Sequence, residues 1–329
     1  MNHLELVKHL ELVKHLELIK RQVAKVGALT LREQAPLADY TRFAMGGPAQ
    51  LLADAATPIA LSEISRMVRE TQIPHTVIGG GSNLVVGENG FAGMVLRYVQ
   101  RAIVIDGLQV TVNSGASLQD LVDETVAQGL KGLETMTGIP GWVGGAIYGN
   151  AGAYGHSIHE RVESVRYFDG SEFRTIGNAG CEFHYRESIF KRRKDWIIVS
   201  ATLRMDQGDS EELQAIADGI RKTRDAKYPP TMKCAGSIFK NLLVRELPAG
   251  LDLPASVVRE GKVPSAYFLE QAGAKGMSDG PIRVADYHAN LIYNEGGGTS
   301  VQVASIVNEL KRRVLEKFGI ALEEEVQWV

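Results

Sequence analysis

The spacing of apolar positions changes character along this chain. From Leu29 to about Met205 apolar residues come in short runs that read as strands, interrupted by two stretches of helical period. Ile59, Leu61, Ile64 and Met67 predict a helix over Pro58 to Thr71. Ser117 caps a second helix that runs through Gln128 and stops at Gly129. A strand from His75 to Ile78 leads directly into Gly79-Gly80-Gly81-Ser82-Asn83. Ile103 to Asp106 and Gln109 to Asn113 read as a hairpin, and strands near Val162 to Phe168 and Trp196 to Met205 close this half. From Ser210 longer helices take over. Glu211 to Lys227 is one. Ser300 to Lys317 is another, with Val303, Ile306, Val307, Leu310 and Val314 as its apolar face, Thr299 and Gln302 as a capping box and Gly319 as its stop. A last strand, Ile320 to Val329, places Leu322, Glu324, Val326 and Trp328 on one face and Glu323, Glu325 and Gln327 on the other. This change of texture predicts an α+β protein with an extension over residues 1–28, one domain over 29–206 and a second over 207–329.

The extension is a six-residue repeat in three copies, HLELVK-HLELVK-HLELIK, from His3 to Lys20. Six residues advance a helix by about 600°, so Leu4, Leu10 and Leu16 point in three directions. The repeat therefore predicts a short extension or frayed helix outside the core. Its histidines recur at i, i+6 and not at the i, i+4 spacing of a helical metal pair.

Composition narrows the function. Lys+Arg 36 against Asp+Glu 39 leaves a net charge of -3, which gives no general attraction to nucleic acid or an anionic membrane. The longest uncharged stretch, Thr135 to His159, holds Pro140 and seven glycines and predicts loops instead of a membrane span. Two cysteines, Cys181 and Cys234, show no CxxC spacing; they fit a reducing cytoplasm and no cysteine-held metal. Glycine is in excess, 35 residues of 329 against a usual ~7%. The excess is clustered.

Gly79-Gly80-Gly81-Ser82-Asn83 lacks the third glycine of a GxGxxG fingerprint and the Lys-Ser/Thr of a Walker A loop. Taken alone it reads either as a tight turn after a buried strand or as a nest of backbone N–H groups suited to a pyrophosphate. The second cluster, Gly138-Ile139-Pro140-Gly141-Trp142-Val143-Gly144-Gly145, continues to Asn150-Ala151-Gly152. So many small residues let a flat ring or a pyrophosphate press against backbone. Two such loops in one domain point to a ligand with two polar ends, a dinucleotide.

IGGGSNLVV, GIPGWVGGAIYGNAGAYG, HYRESIFK, AGSIFKN, EQAGAKG, HANLIYN and FGIALEEEV stand in the order and spacing of the UDP-N-acetylenolpyruvoylglucosamine reductase family, which the chain resembles over roughly residues 30 to 328. The resemblance implies a FAD-binding domain of the vanillyl-alcohol-oxidase type, followed by an α+β domain that closes over the substrate. It implies non-covalent FAD, NADPH as hydride donor, a UDP-sugar as substrate, and a cytoplasmic enzyme of peptidoglycan precursor synthesis. In that reaction hydride reaches the vinyl carbon of the enolpyruvyl group and a protein acid protonates the carbon beside the carboxylate.

The resemblance also implies roles. Arg186, in HYRES, would hold the developing carboxylate dianion, for which a planar guanidinium is suited. Ser237, in AGSIFKN, takes the place of the proton donor. Glu325 takes the place of the catalytic carboxylate just before Val326, and Glu324 stands where the family has proline. Gly79, Gly80, Gly81, Ser82, Asn83, Gly138, Ile139, Gly141, Gly144 and Gly145 are the cofactor candidates. Tyr185, Lys227 and Asn241 are the substrate candidates, and His288 reads as structural. No tyrosine-bearing substrate loop follows Met205, which indicates the family's shorter subclass, and residues 242–265 form an insertion that is a lid or a surface loop. The competing readings are a flavin-dependent oxidase of an alcohol or sugar on the same fold, and a nucleotide-binding module without catalysis.

Overall fold

The computed structural model describes residues 3–329, with side chains from Leu12 onward except Val13. The fold is α+β. The chain forms two compact units: the first comprises Met1–Ala35, Ala49–Gly80 and Phe91–Arg224, the second Pro36–Pro48, Gly81–Gly90 and Asp225–Val329. This division comes later than residue 206 and is discontinuous. Helix Ser210–Lys227 lies for most of its length in the first unit, and two early segments belong to the second.

Two larger sheets build the first unit, beside two short two-stranded ones. One has the order Leu29–Pro36, Pro48–Ala55, Phe91–Tyr98, His75–Val77, and its last three strands run parallel. Helix Pro58–Thr71, capped by the Thr57 hydroxyl, buries Leu61, Ile64 and Val68 against this sheet's core. The other sheet is antiparallel, in the order Phe173–Gly177, Val162–Phe168, Ile197–Arg204, Gln109–Asn113, Ile103–Asp106. It encloses a second core with helix Leu118–Ala127, whose Ser117 cap accepts from Gln119 N and Asp120 N. The uncharged 135–159 stretch contains one short helix, Val143–Tyr148, within this core. Among the described residues, no helix is long and apolar enough to cross a membrane.

The N-terminal repeat departs from expectation. It is helical over His3–Val23, and Leu16, Ile19 and Val23 are buried with helix Pro58–Thr71, with Leu12 partly buried beside them. The leucines of successive copies do not align. Positions 12, 16, 19 and 23 nevertheless fall at the 4-3-4 spacing of one helix face, because the third copy carries Ile19 and Val23 follows the repeat. The side chains of His3 and His9 lie outside the described residues.

The second unit has a sheet in the order Cys234–Ser237, His288–Asn294, Ile282–Ala285, Ser278–Asp279. Helix Ser300–Phe318 lies against it, with the predicted capping box at Thr299 and Gln302 and Gly319 left-handed at its end. Phe43, Met45 and Val85 from the early segments are buried in this core. Leu247, Leu251, Leu253 and Val257 of the insertion are packed on it as well, so the insertion is anchored along its length. The last strand is shorter than its alternation predicts. Only Gln327–Trp328 forms a ladder, parallel to Leu84–Val85, while Glu324 makes a single bridge to Phe239. The segment changes backbone partner midway, and this interrupts the ladder although Leu322 and Val326 are buried as the pattern requires.

Candidate active site

In the first unit the two glycine clusters meet. A Cβ on Gly80 would stand 2.9 Å from Trp142 Cδ1 and 3.3 Å from Gly141 Cα. A Cβ on Gly79 would stand 3.9 Å from Trp142 and 4.0 Å from Gly145 N, filling the gap between the loops, and one on Gly145 would meet nothing within 4 Å. Bare backbone from both clusters thus comes together in a glycine cradle that is open beside Gly145. The Arg97 guanidinium lies 4.9 Å from the Trp142 ring centroid. Other residues of the second cluster make contacts that hold the fold. Gly144 could not carry a Cβ without meeting Ser114 Cβ at 2.8 Å, and its N–H donates to Ser114 O. Gly138 is left-handed and donates to Gln119 Oε1, Gly141 O accepts from Leu118 N, and Ile139 is packed against the core.

Arg186 sits at the tip of a tight turn in which His184 and Glu187 exchange backbone hydrogen bonds of 3.0 and 3.1 Å. Its backbone is left-handed, φ +59°, a conformation uncommon for a non-glycine residue and held here by neighbours. Lys191 Nζ donates to Arg186 O, Asn150 Nδ2 donates to His184 O, and Arg186 Nη2 donates to Gly152 O at 3.1 Å. The second glycine cluster therefore fixes the turn, and the guanidinium lies beside the Tyr185 ring.

In the second unit Ser237 ends its strand, half-buried, opposite Leu291. Glu325 N–H donates to Ile238 O at 2.7 Å, so Glu325 and Ser237 ride on hydrogen-bonded neighbouring segments. Asn83 Nδ2 donates to Glu325 O, and Gln327 N donates to Asn83 O. Gly81, at φ +62°, needs to be glycine because a Cβ would fall 1.8 Å from Tyr40 O. Of the three successive glutamates, Glu323 pairs with Lys240 and stays exposed, whereas Glu324 reaches Lys311 at 2.9 Å and accepts from Trp328 Nε1. Asn241 Oδ1 accepts from Ser265 N. Lys227 Nζ lies 5.3 Å from the Tyr228 ring centroid.

Residues 49–172 match the FAD binding domain family, and residues 228–329 match the C-terminal domain of UDP-N-acetylenolpyruvoylglucosamine reductase. The reductase of Solibacter usitatus is 56% identical over 311 residues, 94% of this chain and 99% of the relative. The chain belongs to the UDP-N-acetylenolpyruvoylglucosamine reductase family. A second member, from Anoxybacillus flavithermus, is 33% identical over 93% of this chain and 96% of its own. The crystal structure of the Thermus caldophilus reductase covers 91% of this chain and 98% of its own, at 29% identity and TM-score 0.71. With the family established, the first unit carries the FAD-binding fold that the sequence implies.

Two residues beside Ser237 are not among the sequence candidates. Asn290, 2% exposed, clamps the segment after Ser237: its Oδ1 accepts from Phe239 N, and its Nδ2 donates to Phe239 O and Ser265 Oγ. The motif HANLIYN signals it, but only as part of a string. Tyr228 lies 3.4 Å from Ser237 Oγ and 3.2 Å from His288 Nε2, and no motif marks it. Burial, then the Lys227 and Lys275 charges, push His288 down to about 4, so its imidazole is neutral.

Proposed function

We propose that this protein reduces a UDP-N-acetylglucosamine enolpyruvyl ether to UDP-N-acetylmuramate, using FAD and NADPH. The backbone hydrogen bond from Glu325 to Ile238, the residue after Ser237, supports this reading. It sets a hydroxyl and a carboxylate on neighbouring segments of a chain that shares its family along nearly its whole length. The glycine cradle fits the cofactor, because added side chains at Gly79 or Gly145 would occupy the space a flat ring or pyrophosphate needs. Gly79, Gly80 and Gly145 are the backbone positions assigned to it. When bound, FAD supplies to the vinyl carbon the hydride it has taken from NADPH. Arg186 holds the substrate carboxylate, and its charge stabilises the enolate that develops as the double bond is reduced. Ser237 gives its proton to the carbon beside the carboxylate. Glu325 contributes its carboxylate to that proton transfer, and Lys227 and Asn241 bind the nucleotide portion. The reaction is placed in the cytoplasm, consistent with two buried free thiols. An oxidase, or a module without catalysis, leaves the match over residues 228–329 without a role.

Anaerobic half-reactions test this. The purified protein should be yellow, acid should release its flavin, NADPH should bleach it, and the enolpyruvyl nucleotide should restore the colour without oxygen. Recovery of colour with oxygen alone, and none with the nucleotide, would leave the oxidase reading standing.

A further inference from the structure

A free serine is a very weak acid, so a serine that protonates carbon needs its alkoxide stabilised as the proton leaves. Four groups of the second unit form a hydrogen-bond line ending at Ser237 Oγ. The backbone N–H of Asn290 donates to His288 Nδ1 at 3.3 Å. A neutral imidazole whose Nδ1 accepts carries its hydrogen on Nε2. That nitrogen lies 3.2 Å from Tyr228 Oη, which therefore accepts from it. The phenol keeps its own hydrogen for donation, and Ser237 Oγ lies 3.4 Å away. With the phenol donating, the line runs one way, toward the serine oxygen. In that arrangement Ser237 accepts and keeps its own hydrogen for the substrate.

The distances support the same assignment. At 3.4 Å the phenol–serine contact is longer than the ~2.7–2.8 Å optimum of O–H···O bonds, so it stabilises a neutral serine little. A hydrogen bond to an oxyanion is shorter and roughly twice as strong. The contact therefore gains most when Oγ becomes negative, which is the condition for lowering a barrier. The surroundings hold the line in register. Asn290 fixes His288 through its backbone N–H and fixes the segment after Ser237 through its side chain. The His288 and Tyr228 rings meet edge to face, and Tyr287 Oη donates to the carbonyl of Lys227, next to Tyr228.

We infer that Tyr228, oriented by His288, is a positioning residue that aligns Ser237 and stabilises its alkoxide during proton donation. This rests on the assignment of Ser237 as the acid made above.

The test is stopped-flow oxidation of NADPH-reduced enzyme by the enolpyruvyl nucleotide, in wild type, Tyr228→Phe, His288→Leu, Ser237→Ala and the double variant. Tyr228→Phe keeps the ring and removes only the hydroxyl. It is expected to slow flavin reoxidation about 10- to 100-fold, to leave reduction by NADPH and flavin content within twofold, and to leave the nucleotide's half-saturating concentration unchanged. His288→Leu should slow the same step in the same direction. In the Ser237→Ala background Tyr228→Phe should cost nothing further, because the oxygen it serves is gone. A thiol is a stronger acid than a hydroxyl, so in Ser237→Cys the Tyr228→Phe penalty should fall below about threefold. A Tyr228→Phe rate within twofold of wild type overturns the inference, as do equal penalties with and without Ser237, or a change confined to nucleotide affinity. If Ser237→Ala itself reoxidises at the wild-type rate, the assignment of Ser237 as the acid fails instead.

Discussion

Three consecutive glutamates with three different surroundings, Glu323, Glu324 and Glu325, allow side-chain chemistry to be separated from charge. Glu323 is tied to Lys240 and mostly in water, Glu324 joins Lys311 and Trp328, and Glu325 lies beside Ile238 with its carbonyl held by Asn83. Glu325→Gln is expected to lower turnover by two orders of magnitude or more, with flavin content and NADPH-driven reduction near normal. Glu323→Gln should stay within about twofold, since an exposed ion pair contributes little. Glu324→Gln should alter stability slightly and turnover not at all. Steady-state turnover of the three variants checks this, and an active Glu325→Gln would move the carboxylate's role elsewhere. At this scale it is a motif that singles out Arg186, Ser237 and Glu325 in the sequence. Tyr228 was not legible, because its link to Ser237 depends on a loop that returns toward the strand and on a histidine 60 residues away. Nothing in the local pattern encodes that distance.

Helices announced themselves through period and caps, so Pro58–Thr71 follows its apolar period and Ser300–Phe318 begins where Thr299 predicts. Strands depend on a partner, and the 320–329 segment, which exchanges one partner for another, kept its burial pattern while losing its ladder. The repeat helix failed differently: each copy was read against itself, whereas the buried face combines residues of different copies and of the sequence beyond them. The short helix Val143–Tyr148 yields a prediction of its own. Gly145 is exposed on it, with no protein atom where a Cβ would go. Gly145→Ala should therefore leave the apoprotein as stable as before or stabilise it by about 0.5–1 kcal/mol, the usual gain of Ala over Gly in a helix. The same methyl intrudes on the cradle and should weaken FAD binding. Thermal unfolding of apoprotein and a flavin titration distinguish the effects; unchanged flavin affinity would remove Gly145 from the cofactor site.

For the whole molecule, the α+β class was readable from texture, but the boundary was not. A reading along the chain assumes that a unit is continuous, and here Pro36–Pro48 and Gly81–Gly90 belong with Asp225–Val329. Phe43, Met45 and Val85 make the difference: they complete a core whose other members come from the distant end of the chain. The isolated segment 225–329 should accordingly lack cooperative thermal unfolding and bind a hydrophobic dye, and a sharp cooperative transition would show that those three side chains are dispensable. The same feature bears on biosynthesis. Asn83 and its partner Glu325 are 242 residues apart, so at about 5–20 residues per second the early segment waits roughly 10–50 s on the ribosome before its partners exist. Throughout that interval Phe43, Met45 and Val85 have no completed core to join on the nascent chain.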